Sequence, residues 1–108
     1  MPRVYFSSTA EAAAAFGSHL AAARRRQRRT AAETAARANT TRVTLLRIER
    51  GDPNVAVGLY FEVAIVLGVP LFGREGRELA ELAAQGRRDL ALLPSRVDAR
   101  PGVVDDDF

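Results

Sequence analysis

An all-α chain of five helices, with a short β-segment after the fourth, is the architecture this sequence predicts. Three features point to it. Apolar residues recur at spacings of three and four, hydroxyl-bearing residues stand ahead of those runs, and asparagine or glycine follows several of them. The composition agrees: 47% of residues are hydrophobic but only 6% aromatic, and alanine, the strongest helix former, is prominent. A chain of 108 residues has room for one modest core, burying roughly two-thirds of the surface its unfolded form exposes. A core this thin gains from dimerisation.

Ser8-Thr9-Ala10-Glu11 has the form of a capping box, so a first helix is expected over about 9–28. Ala12, Phe16, Leu20 and Ala23 give it a buried line, which Arg24 continues four residues after Leu20. Arg25, Arg26, Arg28 and Arg29 project outward at the helix's C-terminal end, where the dipole favours cations. Thr30-Ala31-Ala32-Glu33 is a second capping box, opening a short helix over about 31–38 that Asn39 ends in a left-handed turn. Thr41 then caps a third helix over about 42–50, closed by Gly51. Two short helices joined by a tight turn form a helix-turn-helix layout.

After the Asp52-Pro53-Asn54 loop, Val55–Leu67 is apolar nearly all round, the mark of a helix buried on more than one side or sharing an interface. Val69-Pro70-Leu71-Phe72, bracketed by Gly68 and Gly73, supplies the short extended segment. A fifth helix is expected over about 74–85, followed by a turn after Gly86 that carries Leu90, Leu92 and Leu93. The resulting organisation is an N-terminal arm over 1–8, a helix-turn-helix domain over 9–72, a helical extension over 73–94 and a flexible acidic tail over 95–108.

Charge is divided along the chain. Residues 1–51 hold ten arginines against Glu11, Glu33 and Glu49, a balance of +7, while residues 52–108 hold six arginines against ten acids, a balance of −4. A basic half of this kind is what a nucleic-acid footprint looks like, and a solvated helix face reads similarly. There is no cysteine, no lysine and a single histidine, His19, which argues against disulfides, thiolate chemistry, a metal site, a cofactor or catalysis. Glu75, Glu78 and Glu81 are spaced as a solvated face with arginine partners. The N-terminus lacks the apolar run of a signal peptide and no segment approaches the span of a bilayer, so a cytoplasmic, nucleoid-associated protein is expected.

The stretch Thr30–Gly51, with Arg24 upstream and Asn54–Val69 downstream, resembles the lambda-repressor/Cro-like helix-turn-helix family, over about residues 16–72. The spacing, together with Val69–Phe72, is similar to HipB-type antitoxins. The resemblance implies a homodimer bound to a palindromic operator in double-stranded DNA and, for an antitoxin, a HipA-like kinase toxin as partner; a free-standing regulator uses the same DNA-reading helix. It also implies an internal ion pair between Arg24 and Glu49. With Leu45 and Ile48 turned inward, Arg42, Val43, Leu46 and Arg47 are left for the major groove, the arginines for guanine and Val43 for a thymine methyl. Phosphate neutralisation is the alternative for both arginines. Thr41 and Thr44 suit phosphate contacts or simple capping, and Arg25, Arg28 and Arg29 suit phosphate contacts or a solvated face. Leu59, Tyr60, Phe61, Val69, Leu71 and Phe72 are candidates for pairing two subunits or for core packing, and Phe108 at the acidic end for a partner surface. Four positions depart from the family: Ala31 replaces a phosphate-clamping glutamine, Thr34 and Thr40 stand where aliphatic residues are usual, and Asn39 stands where glycine is usual. Two hydroxyls in a thin core weaken it unless they bond to nearby carbonyls.

Overall fold

A computed structural model describes residues 3–97 and folds them into five helices: α1 (Ser7–Arg26), α2 (Ala31–Arg37), α3 (Arg42–Glu49), α4 (Val57–Val66) and α5 (Arg77–Ala91). The chain divides into two compact units between Glu75 and Gly76, the first holding α1–α4 and the second α5. Phe108 and the acidic end lie outside the described residues.

In the first unit α3 packs on α1 and α2, and α4 packs on both as well. Leu20, Leu45, Ile48 and Val63 are fully buried at the centre, with Ala35, Ala38, Tyr60, Ala64 and Leu67 around them. Ala35 is on the buried side of α2, which packs on α3. Thr34 is also fully buried, and its hydroxyl donates to the Thr30 carbonyl at 2.9 Å, so the departure from an aliphatic residue leaves no orphaned polar group there.

α1 begins at Ser7, ahead of the expected capping box: Phe6 is the N-cap, no side chain caps the helix, and Ser8 and Thr9 lie inside it. The alanine run is so favourable in helical form that the helix extends past the hydroxyls. It ends at Arg26, and Arg28 turns left-handed with φ 56°. Its buried line runs through Gly17 and Leu20, flanked by half-buried Ala13, Phe16 and Ala23, while Ala12 is exposed. Gly17 marks the point where α1 meets the end of α3 at backbone distance: a Cβ there would overlap the Ile48 carbonyl oxygen and come within 2.8 Å of the Gly51 nitrogen.

The expected β-segment reduces to a single bridge between Leu71 and Arg74, whose reciprocal bonds measure 3.0 and 2.9 Å. Phe72 and Gly73 form the two corners with φ 54° and 70°, a tight reverse turn with no partner strand among the described residues. α4 begins at Val57, and Val55 is buried in the core from the preceding loop. α5 is longer and later than expected and runs through Gly86 without a turn. One glycine in an exposed helix costs about 1 kcal/mol, which the surrounding alanine, leucine, glutamine and arginine residues offset.

Candidate nucleic-acid interface

The α2-turn-α3 unit is built from four local bonds that its sequence specifies. The Thr30 hydroxyl accepts from the Glu33 N–H at 3.1 Å and opens α2. Asn39 ends it at φ 55°, and the Thr40 N–H returns to the Ala35 carbonyl at 2.9 Å. The Thr41 hydroxyl then accepts from the Thr44 N–H at 3.1 Å and donates to the Thr44 hydroxyl at 3.1 Å. Both threonines are therefore engaged in capping, with Thr41 exposed and Thr44 half-buried at the start of α3.

Arg24 fixes α1 to the other end of α3. Its Nε and Nη2 donate to the two carboxylate oxygens of Glu49 at 2.6 and 3.0 Å, and its Nη1 donates to the Arg29 carbonyl at 2.9 Å. The side chains are only 12% and 7% exposed. The hydrogen bond to Glu49 pushes the Arg24 pKa above its ordinary value; desolvation opposes this and the Glu49 charge adds to it.

Of the three arginines expected near phosphates, Arg25 and Arg28 are exposed, but Arg29 is half-buried and donates to the Val66 carbonyl at 2.9 Å. Gln27 donates to the neighbouring Leu67 carbonyl at 2.7 Å. The end of α4 has carbonyls without helical partners, and these two side chains supply the donors. Arg29 is thus a tie within the fold, a role its place in an arginine run gave no sign of.

On α3, Arg42 is exposed and Val43 is 68% exposed, whereas Leu46 is half-buried. Arg47 lies on the same side, and its Nε donates to Asp52 Oδ2 at 2.9 Å with side-chain exposures of 40% and 27%. Asp52 Oδ1 accepts from the Asn54 N–H at 2.9 Å, and the Asn54 side-chain oxygen accepts from the Tyr5 hydroxyl at 3.2 Å. In the sequence Asp52 reads as loop. The signal was there, since Asp-x-Asn is an Asx-turn pattern.

The Asn54 N–H first, and Arg47 second, hold the Asp52 carboxyl below the ordinary carboxylate range. A carboxyl lowered in the folded state stabilises above its unfolded value and loses that contribution as pH falls through the folded one, here below about pH 4. Urea titrations of the parent chain and Asp52→Asn between pH 7 and pH 3 should converge on acidification. A constant gap would contradict this.

Tyr60, a candidate for subunit pairing, is a core residue instead: it is buried, its hydroxyl donates to the Asp52 carbonyl at 2.7 Å, and burial raises its pKa so that it stays a donor. Leu71 is also buried; Leu59, Phe61 and Val69 are half-buried, and Phe72 is 76% exposed. Phe16, Tyr60, Phe61 and Phe72 form a chain of ring contacts with centroids 5.3 to 6.4 Å apart. Among the described residues no helix is long and apolar enough to cross a membrane.

A capped helix pair joined by a tight turn, with the inner side of its second helix buried and arginines on the outer side, is the architecture of a DNA-binding helix-turn-helix domain. The helix-turn-helix family model matches residues 20–73, half of the 108-residue chain. The chain belongs to that family, the lambda-repressor/Cro-like class that its sequence resembles, and is a DNA-binding transcription regulator. No curated protein and no solved structure gives a significant match.

Proposed function

We propose that the chain is a sequence-specific repressor, two copies of which place α3 in successive major grooves of a palindromic operator. The observation that carries this reading is the outer side of α3, where Arg42 and Val43 are exposed and Arg47 keeps 40% of its side chain exposed. Arg25, Arg28, Thr41 and Thr44 are the neighbours suited to phosphates, and Leu46 borders the base-reading group. Selection from randomised duplexes should return a palindrome with half-site centres about 10 base pairs apart. Affinity should fall steeply with salt, and Arg47→Ala should flatten the preference at one position per half-site while sparing non-specific binding. Unpaired half-sites, or equal losses on specific and non-specific DNA, would count against the reading.

The finer reading is an antitoxin that represses its own operon and binds a HipA-like kinase. It is supported by the similarity of Val69–Phe72 to HipB-type antitoxins and by the exposed Phe72 at the rim of an apolar groove lined by Phe16, His19 and Phe61. A free-standing regulator is the second reading, favoured by α5, where Leu79, Leu82 and Leu90 recur at the spacing of a dimerisation helix. A HipA-like kinase encoded beside the gene and retained in a pull-down by the parent chain selects the first; its absence selects the second.

A further inference from the structure

Asp52 is held on four sides. Its N–H donates to the Arg47 carbonyl at 3.0 Å, its carbonyl accepts from Tyr60 at 2.7 Å, and its two carboxylate oxygens accept from the Asn54 N–H and from Arg47 Nε, each at 2.9 Å. The carboxylate is therefore a fixed anchor, built by the loop and by a core tyrosine, beside a long side chain on the DNA-facing helix. It takes only the Nε edge of Arg47. Among the described residues the two Nη groups have no protein partner, which leaves the end of the guanidinium fork open.

We infer that Asp52 is a specificity-determining positioning residue: by holding Arg47 through Nε, it presents the Nη1–Nη2 edge end-on to the O6 and N7 acceptors of a guanine. This rests on the reading of Arg47 as a base-contacting residue. Two physical effects follow from the pairing. An arginine held in one rotamer loses less freedom when it binds a base than one that swings freely. The fixed carboxylate also offsets the arginine's charge and repels phosphate oxygens, so the same side chain is turned from a phosphate clamp into a base reader.

The test compares base preference and salt dependence for the parent chain, Asp52→Asn, Asp52→Ser and Arg47→Ala, using randomised duplexes and a fixed non-specific duplex. Asparagine and serine both keep an oxygen able to accept from the Asn54 N–H, so the loop has a partner in each variant. Both Asp52 variants should lose about tenfold of the guanine preference at the position that Arg47→Ala also flattens. Their non-specific binding should become tighter, with a salt slope steeper by about 0.9 as the freed arginine turns to phosphate. A purely structural role for Asp52 would weaken specific and non-specific binding together, with no steeper salt slope. Preference intact in the Asp52 variants but lost in Arg47→Ala overturns the positioning role alone. Preference intact in Arg47→Ala overturns the base-reading role of Arg47 and this inference with it.

Discussion

Gly17→Ala should destabilise the first unit by more than about 3 kcal/mol, enough to leave it largely unfolded if its total stability is at the low end for domains of this size. Helix propensity alone predicts the opposite sign, since alanine is favoured over glycine in a helix interior by about 1 kcal/mol. What decides is the crossing with α3. The added Cβ would overlap the Ile48 carbonyl oxygen and sit 2.8 Å from the Gly51 nitrogen and 3.0 Å from the Glu49 carbonyl oxygen. All three are backbone atoms, so no side chain can swing away. Relief requires lifting α1 off α3, the two helices that carry the fully buried Leu20, Leu45 and Ile48. Gly51→Ala meets the reverse face of the same contact, against the backbone of Ala13 and Ala14, and adds the left-handed penalty of its φ of +76°, about 1–2 kcal/mol. Gly86→Ala is the control: nothing lies within 4 Å of the added Cβ, and the helical content of α5 should rise. Circular dichroism melts of the three variants check this, and a Gly17→Ala protein as stable as its parent would sink the account.

The contrast among these glycines shows what the sequence carried and what it did not. Thr30, Asn39 and Thr41 act through bonds to residues five or fewer positions away, and their spacing alone placed α2, the turn and α3. The inward Leu45 and Ile48 followed from the same periodicity. Gly17 and Gly51 meet only because α1 packs on α3, and the identity of neither residue announces the distance between two backbones. Arg29 looked like one more cation in an arginine run, yet it spans 37 positions to reach the Val66 carbonyl. The arginines at 25 and 28 share its local sequence and stay exposed, so only the tertiary fold separates them. Helix ends differ from the sequence expectation for a related reason: caps and glycines are short-range signals, and where alanine dominates, as at the start of α1 and through Gly86 in α5, helix propensity overrides them. The Asp52 site lay between these cases. Its Asx turn was local and legible, whereas its hold on Arg47 depends on the loop folding back over the end of α3.

Arg24→Ala and Glu49→Ala should each cost about 3–5 kcal/mol, because either change leaves its former partner as a buried charge without compensation. The geometry makes the loss larger than for a surface pair, whose value is at most about 1 kcal/mol. Both carboxylate oxygens of Glu49 are used, the remaining Arg24 nitrogen supports the Arg29 carbonyl, and the side chains are 12% and 7% exposed. The intact pair nevertheless adds little net stability, since its attraction is spent against desolvation. The double variant Arg24→Met with Glu49→Leu, which fills the site with apolar groups, should therefore recover most of the loss in either single variant, giving a strongly favourable coupling in a double-mutant cycle. Neither residue is on the outer side of α3, so the double variant should also select the same operator as the parent chain. Recovery of stability with a changed operator would mean that the pair sets the angle at which α3 is presented. Failure to recover stability at all would mean that the Arg29 carbonyl, left without its donor, and not the ion pair, is what the site cannot lose.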